Sequence, residues 1–585
     1  MEHVAPTLER GAIRKDRGGR QAWALVYANR WAVGMANLGV HAVYRLLNEP
    51  ADVLCERAFL PEGPGEPRTI ESDRPLSGFD VIAFSLSFEE DYVRIPEILA
   101  RAGLPVRASA RDSRHPLVVA GGIAVQINPE PIAPFFDAML VGEAEPLLPP
   151  FVDLLRGARE AAPARRELLD AMARLAGVYV PSRYEVTYAP TRGAPQGEPW
   201  VTRFEPLGGA PARVRRQWAP DLREVATARV VETPSARFGD LHLVEVARGC
   251  LWGCRFCAAG FVQRPYREVS EAVLRAEAEK GLARGQRIGL VGPDTSDHSA
   301  LRPLAAWIAE RGGAASPSSL RVDALDRELA RRLAEGGERT VTLAPEAGTA
   351  RLRRVLNKDF PDDRVVEAAE AALSEGLEDV KLYFMCGLPT ERAEDVEGIA
   401  ALSRRVRDEV LLPWARRRGR MGHMTLSVNP FIPKPWTPFQ WDGIAAEAAL
   451  KATRKLLERE LRPLGVTVDF LSPREARLQA VLSRGDRRTA DLIEAAWRDH
   501  GGALGRALKG WGEDADWFAE RQVGEQERLP WDFLDHGVDK AWLLSERVRG
   551  LAGKVTRPCA PDVCRACGLD CADRPELRRD AERVR

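Results

Sequence analysis

The 585-residue sequence lacks long apolar runs, an excess of charge of either sign, and an apolar stretch near its first residue. No apolar run reaches the ~18 residues that indicate a membrane-spanning helix, so we expect no membrane partner. Lys and Arg together number 85, as do Asp and Glu, so the net charge gives no indication of a nucleic-acid partner. A local basic groove is left as an alternative. The segment Met1–Arg10 has no signal-peptide core, which predicts a cytoplasmic protein.

Cysteine is scarce, yet most of the nine cysteines fall into two short clusters. Cys250, Cys254 and Cys257 have the spacing Cys-x3-Cys-x2-Cys, with an aromatic residue directly before the third. Three thiolates can hold three irons of a 4Fe-4S cube and leave the fourth iron open for a small molecule. A structural zinc site normally has four protein ligands, and an odd number of cysteines does not suit disulfides. The loop is therefore interpreted as an iron–sulfur site, with buried free thiols as the alternative.

The second cluster lies near the end of the sequence. Cys559, Cys564, Cys567 and Cys571 have the spacing Cys-x4-Cys-x2-Cys-x3-Cys, which is a strong metal signal. Zinc in a closed tetrahedral site and a second iron–sulfur cluster both suit four thiolates. Because the cluster stands alone on a terminal tail, we favour zinc or another structural role and expect the tail to bind its metal independently.

The first 188 residues alternate strand and helix signals, which predicts an α/β, doubly wound domain. Short apolar runs suit buried parallel strands. These runs are Ala22–Tyr27, Val81–Leu86, Leu117–Ala120 and Ala138–Val141.

The remaining chain divides into four parts by composition. Residues 189–240 are rich in Pro, Gly and Arg and predict a connector, and residues 241–472 predict a partial (β/α)6 barrel. Residues 473–551 read as a helical C-terminal region, and residues 552–585 form the Cys-rich tail. The predicted barrel strands are His242–Ala247, Arg287–Val291, Ser319–Val322, Thr340–Leu343, Val380–Phe384 and Met424–Val428.

The first cysteine loop, at the carboxyl end of a buried strand, resembles that of the radical S-adenosylmethionine (SAM) superfamily. In that superfamily the open iron binds SAM, and an electron from the cluster cleaves SAM to a 5′-deoxyadenosyl radical. The resemblance implies that Cys250, Cys254 and Cys257 ligate the cluster and that Phe256 lies near the adenine. It also implies an electron donor such as flavodoxin or ferredoxin as a partner.

Further residues of the predicted barrel repeat the superfamily's pattern. Glu346 follows the fourth strand, where members often place a polar contact to SAM, and Arg351, Arg353 or Lys358 would pair with the SAM carboxylate. A solvated helix face is the alternative for these basic residues. The second strand departs from the pattern, because the segment Val291–Ser296 replaces a Gly-Gly-Glu-like sequence.

The order of the N-terminal elements resembles the cobalamin-binding domain that precedes many radical SAM barrels. The match covers Gly121–Val125, the strand at Asp137 and Gly142-Glu143. The usual Asp-x-His-x-x-Gly loop is replaced by Asn29–Gly34, which has no histidine, and His41 is interpreted as a surface or packing residue. Cobalamin binding is therefore left open, and we expect it to proceed without a histidine ligand.

Several longer sequence segments resemble one uncharacterised radical SAM family whose members have such an N-terminal domain. This resemblance implies no known substrate. These segments are Pro345–Thr349, Asn429–Phe431, Pro433–Pro435 and Arg484–Arg488. The first hypothesis is a radical SAM enzyme that modifies RNA or protein, with a methyltransferase-like or methylthiotransferase-like reaction. A cobalamin-dependent methyltransferase of a small molecule and a non-catalytic iron–sulfur regulatory protein are the alternatives. The sequence assigns no further catalytic residue.

Overall fold

The computed structural model describes residues 9–193, 199–318, 320–561, 563–574 and residue 577. The described chain has the predicted α/β architecture, in which a doubly wound domain precedes a barrel-like array of parallel strands and a helical region. No helix within these ranges is both long and apolar enough to cross a membrane.

The N-terminal domain is a six-stranded sheet with the order β2-β1-β3-β4-β5-β6, in which only β6 runs antiparallel to its neighbour. Its strands are β1 (Gln21–Tyr27), β2 (Val53–Phe59), β3 (Val81–Ser85), β4 (Leu117–Gly121), β5 (Ala138–Leu140) and β6 (Val178–Tyr179). Its helices are α1 (Trp31–Gly34), α2 (Leu38–Asn48), α3 (Arg94–Arg101), α4 (Ile123–Ile127), α5 (Ala144–Ala161) and α6 (Arg165–Ala173). The strand order reverses between β1 and β3, where sheets of this kind place ligands.

Strand β2 was not predicted, because Glu56 and Arg57 interrupt its apolar pattern. Both side chains are nevertheless buried. The Arg57 guanidinium pairs with Glu71 at 2.7 Å and with Glu9 at 2.6 Å, which satisfies its charge inside the protein. A paired charge therefore takes a place that the sequence pattern reserves for apolar side chains.

A hairpin of β7 (Tyr184–Tyr188) and β8 (Val201–Pro206) crosses from the N-terminal segment into the connector, and the short strand β9 (Val214–Arg215) follows. Trp200, just before β8, is fully buried. Its ring lies 6.2 Å from that of Trp517 and 6.3 Å from that of Trp531, between centroids. The connector is thereby packed into the C-terminal region.

The barrel-like array consists of two parallel sheets, of three strands (β10-β13-β14) and four strands (β15-β16-β17-β18). The strands of these two sheets are β10 (Leu241–Glu245), β13 (Arg287–Val291), β14 (Ala315–Pro317), β15 (Thr340–Glu346), β16 (Asp379–Cys386), β17 (Met424–Pro430) and β18 (Thr467–Phe470). The short strands β11 (Ala247–Arg248) and β12 (Arg267–Glu268) form a separate antiparallel pair. Its helices are α7 (Ala259–Val262), α8 (Glu271–Leu282), α9 (Leu301–Glu310), α10 (Arg327–Glu335), α11 (Ala350–Val355), α12 (Asp362–Ser374), α13 (Ala393–Arg405), α14 (Leu412–Arg418) and α15 (Glu447–Leu461).

The third barrel strand differs from its prediction. We expected it at Ser319–Val322, but β14 ends at Pro317, and Val322 begins a short 3-10 turn. Ser319 itself lies outside the described residues. The misplacement arises because the predicted apolar alternation belongs to the loop that follows the carboxyl end of the strand. The structure also adds β18 as a further parallel strand beside β17.

The C-terminal region is mostly helical, as predicted. Its helices are α16 (Pro473–Arg484), α17 (Thr489–His500), α18 (Leu504–Ala507), α19 (Ala515–Ala519) and α20 (Lys540–Leu551). The short strand β19 (Leu534–Asp535) pairs in parallel with β9 of the connector.

Candidate active site

The first cysteine loop begins where β11 ends and returns along β12, which pairs antiparallel with β11. Gly249 makes the turn with a φ of +75°, and a Cβ atom there would lie 2.5 Å from the carbonyl oxygen of Pro265. Glycine accepts both the left-handed backbone and this close approach. These features fix the base of the loop that carries Cys250, Cys254 and Cys257 near the carboxyl end of β10.

The three thiols of this loop interact with one another. Burial, together with the neighbouring Cys254 and Cys257, raises the pKa of Cys250 to about 12. Burial also raises the pKa of Cys254 to about 11, although Lys358 and Arg321 oppose it. The thiols therefore stay protonated at neutral pH until positive charge binds beside them, as a metal cluster would.

No three His, Cys, Asp or Glu side chains of the described residues are placed to hold a single metal ion. In a 4Fe-4S cube each thiolate binds a different iron, so the ligands surround the cube. The roles of the seven clustered cysteines as metal ligands stay predictions.

Lys358 and Glu346 form an ion pair beside the cysteine loop. The Lys358 ammonium lies 2.9 Å from a Glu346 carboxylate oxygen and donates a hydrogen bond to the carbonyl oxygen of Ala344 at 3.0 Å. Burial works against the ammonium, but Glu346 and Cys254 outweigh it, and the pKa of Lys358 is raised. The structure thus brings two of the residues predicted to contact SAM, Glu346 and Lys358, close to Cys254.

Phe256 lies against a small apolar cluster that is separate from the main core. Three members of this cluster follow the carboxyl ends of neighbouring strands: Ala347 after β15, Leu388 after β16 and Phe431 after β17. All three are buried. Phe256 therefore extends an apolar wall at the barrel mouth, and its place beside the adenine stays a prediction.

Arg351 has a different environment. Its guanidinium forms an ion pair with Asp395 and donates a hydrogen bond to the carbonyl oxygen of Thr390 at 2.8 Å. The Asp395 side chain is buried, so this pair ties α11 to the start of α13. The observed contacts give Arg351 a structural partner, whereas its predicted contact to SAM stays a prediction.

The sequence reading did not identify Arg321 as a site residue. Its guanidinium carbon lies 3.6 Å from the ring centroid of Trp252, and its charge opposes the raised pKa of Cys254. Burial raises the pKa of Asp294, and the positive charge of Arg321 opposes this rise. Asp294 also acts electrostatically on Cys250, so the acidic segment after β13 reaches the cysteine loop. Arg321 follows β14 closely in the structure, whereas the sequence pattern places it inside the predicted strand Ser319–Val322, so no signal marks it as a strand-end residue.

A cavity of about 210 Å³ lies at the carboxyl edge of the N-terminal sheet. It touches β1 and β3, where the strand order reverses, and Gly121, Gly122 and Gly142 line it. His41 lies elsewhere in the core, where its Nε2 atom contacts the Met35 carbonyl oxygen at 3.0 Å. Its burial agrees with a packing role.

A buried ion network joins the N-terminal domain to the cysteine loop. Arg248, two residues before Cys250, lies 3.0 Å from Glu143, 2.7 Å from Glu145 and 2.8 Å from Glu245. Burial opposes ionisation of Glu143, but Arg267 and Arg248 lower its pKa to about 2. The charges stay paired at neutral pH and hold the edge of the sheet against the barrel.

The Cys-rich tail packs directly on the first cysteine loop. The backbone N–H of Cys559 donates a hydrogen bond to the carbonyl oxygen of Leu251 at 2.7 Å. Burial raises the pKa of Cys559 to about 12, although Arg264 opposes it. The tail therefore contacts the first loop through residues that lie far apart in the sequence, and its independent binding of a metal stays a prediction.

Comparisons with known proteins agree with this architecture. A family model for the N-terminal part of radical SAM proteins matches residues 39–181, and one for the radical SAM superfamily matches residues 244–402. An uncharacterized protein of Methanocaldococcus jannaschii is 28% identical over 477 residues, which cover 80% of this chain and 90% of that protein.

Two solved structures are similar at low identity. The radical SAM methyltransferase TsrM from Kitasatospora setae, with cobalamin and a 4Fe-4S cluster bound, matches 72% of this chain and 77% of its own, at 13% identity and a TM-score of 0.45. The cobalamin-dependent SAM radical enzyme OxsB with aqua-cobalamin matches 66% of this chain and 52% of its own, at 12% identity and a TM-score of 0.44. From the two family matches, on either side of the connector, the chain belongs to the radical SAM superfamily.

Proposed function

We propose that the protein uses a 4Fe-4S cluster on Cys250, Cys254 and Cys257 to cleave SAM and modify RNA or protein. When bound, such a cluster supplies the electron that breaks a carbon–sulfur bond of SAM and releases a 5′-deoxyadenosyl radical. The main support for the proposal is that three interacting thiols and the Lys358–Glu346 ion pair lie together at one barrel mouth. Barrel enzymes place their chemistry at this end of the strands.

The surrounding side chains suit the parts of SAM. Glu346 offers a carboxylate for the amino group, while Lys358 and Arg321 offer cations for the carboxylate. Phe256 and its apolar cluster offer a dry surface for the adenine. The two cations also offset the negative charge of a thiolate-bound cluster.

Anaerobic reconstitution tests this proposal. The full chain should gain iron and sulfide, bind SAM and release 5′-deoxyadenosine in the presence of a reductant. Fractions of cellular RNA and protein, supplied with isotope-labelled SAM, then identify the class of substrate by the label that they retain. A matched Cys386→Ala variant serves as the control, because Cys386 is buried at the end of β16, outside both clusters.

The tail cysteines are proposed to bind a metal of their own, either zinc or a second iron–sulfur cluster. Cys559 interacts electrostatically with Cys564, Cys567 and Cys571, which supports a shared site. Metal analysis of the purified chain distinguishes zinc from additional iron. We also propose a flavodoxin or ferredoxin as electron donor.

A second candidate is a cobalamin-dependent methyltransferase of a small molecule. The position of the cavity, where the strand order of the N-terminal sheet reverses, favours this candidate, whereas the volume of the cavity does not. The cavity of about 210 Å³ is smaller than common ligand pockets of about 300–1,000 Å³, so a corrin does not fit it as it stands. Arg248 and Glu143, which form an ion pair between the sheet edge and the barrel, line the cavity. Cobalt in the purified protein would support this candidate. Spectra of that protein should show no imidazole nitrogen on cobalt.

A further inference from the structure

The contact between the two cysteine clusters is made by several hydrogen bonds. Besides the bond from Cys559 to Leu251, the Thr556 N–H donates to the Asn357 side-chain oxygen at 2.7 Å. The Asn357 amide in turn donates to the carbonyl oxygen of Gly253 at 3.3 Å. These hydrogen bonds attach the segment that precedes Cys559 to the loop that carries the first cysteine cluster.

Arg255, between the second and third cysteines of the loop, strengthens the same contact. Its guanidinium donates to the carbonyl oxygen of Lys554 at 2.8 Å and to the Thr556 hydroxyl at 3.2 Å. The Arg255 side chain is fully buried and also pairs with Glu546 of α20 at 3.2 Å. Because this buried arginine has three polar partners, it holds the tail segment in a fixed position.

Arg264 places a positive charge of the first loop near the cysteines of the tail. It lies at the end of the first loop, is almost fully buried, and acts electrostatically on Cys559 and Cys571 of the tail. Its guanidinium carbon lies 4.9 Å from the ring centroids of both Phe261 and Trp542, which hold it in place. A buried positive charge near the tail cysteines can offset the negative charge of a thiolate-bound metal site.

We propose that Cys559, Cys564, Cys567 and Cys571 hold a second iron–sulfur cluster that passes electrons to the cluster on the Cys250 loop. This inference rests on the proposed function. A low-potential, one-electron donor protein reduces the tail cluster by one electron. The tail cluster is reoxidised when the loop cluster gains that electron, and no bond or proton changes place. Zinc cannot serve here because it has no redox chemistry.

The outer side of the tail suits the entry of electrons. Val563, next to Cys564, is 71% exposed, whereas Cys567 and Cys571 are buried. An electron-donor protein can therefore contact the exposed Val563 side chain beside Cys564. On the other side of the tail, the backbone of Cys559 contacts the first loop. The tail offers one face to solvent and one to the barrel.

The first test compares the wild-type full chain with a Cys564→Ser/Cys567→Ser variant after anaerobic reconstitution. We expect the variant to lose about half of its iron and to keep the electron paramagnetic resonance signal of the reduced loop cluster. Magnetic coupling between the two clusters should disappear. Reduced flavodoxin should reduce the loop cluster several-fold more slowly in the variant, whereas dithionite should reduce it completely in both proteins.

The second test changes the electrostatics of the tail but leaves its ligands intact. Arg264→Gln removes the buried positive charge, so the reduction potential of the tail cluster should become more negative, because its reduced form carries more negative charge. The potential of the loop cluster should change less. Arg565→Gln is the matched control, since Arg565 also lies in the tail but is exposed and pairs with Asp573. It should leave both potentials unchanged.

Three results would overturn the proposal: zinc in the tail, unchanged iron in the double variant, or equal rates of reduction by flavodoxin. A Cys250→Ala/Cys254→Ala/Cys257→Ala variant separates this outcome from failure of the proposed function. If that variant cleaves SAM as the wild type does, the proposed function fails. If it loses cleavage while the tail proves redox-inactive, only the relay fails.

Discussion

The Lys358 ammonium and the Glu346 carboxylate lie 2.9 Å apart at the carboxyl end of β15, beside the thiol of Cys254. Glu346 has a left-handed φ of +65°, an unusual backbone for a residue other than glycine. Such strain persists where the surrounding structure holds it, and it aims the carboxylate at Lys358. The amino and carboxylate groups of an amino acid carry the same two charges. Such a ligand can therefore pair its amino group with Glu346 and its carboxylate with Lys358.

Replacing Lys358 with Met should weaken SAM binding at least about tenfold, since losing a charged hydrogen bond costs about 1.5–3 kcal/mol. Iron content should stay unchanged, because Lys358 is not a predicted ligand. Anaerobic calorimetry with SAM measures the effect. Lys280→Met is the control, since Lys280 lies on α8 with an exposed side chain that pairs with Glu277. An unchanged dissociation constant in Lys358→Met would contradict the role given to this residue.

Simultaneous replacement of Cys250, Cys254 and Cys257 by Ala should abolish SAM cleavage. The variant should lose the iron of the loop, because no thiolate remains there to bind it. The strands should stay intact, because their core lies in the sheets, and circular dichroism checks this. Production of 5′-deoxyadenosine at the wild-type level would refute the central claim.

Arg248→Gln should destabilise the junction between the N-terminal domain and the barrel by about 3–5 kcal/mol, because it leaves buried carboxylates without their partner. Glu145 and Glu245 lose a cation at 2.7 and 2.8 Å. Urea denaturation measures the change, and hydrogen exchange in α5 should rise. Arg45→Gln is the control. Its surface pair with Glu49 should contribute only about 0.3–0.5 kcal/mol.

Local pattern predicts the cysteine loop and most of the strands, because spacing and apolar alternation act over a few residues. The same reasoning misses β2, where Arg57 is buried through an ion pair that only the fold completes. It also misses Arg321 and the bond from Cys559 to Leu251, since both depend on contacts across the barrel. For Arg351, Asp395 is a partner that the sequence did not indicate.

The last prediction concerns Glu391, which follows β16 and accepts a hydrogen bond from the Gly387 N–H at 2.8 Å. Burial raises the pKa of Glu391 from 4.5 to about 7, although that hydrogen bond opposes it. Between these values the folded protein holds a proton that the unfolded chain releases, so the free energy of unfolding falls as pH rises through this window.

Glu391→Gln should therefore match the wild type near pH 4.5 and be more stable at pH 8. We expect a gain of roughly 2 kcal/mol, since a shift of this size corresponds to ~3 kcal/mol before solvent screening. Urea midpoints at the two pH values measure it. Glu409→Gln, which changes an exposed carboxylate that pairs with Arg405, should show no such gain at pH 8. Equal pH dependence in the wild type and Glu391→Gln would show that Glu391 ionises normally in the folded protein.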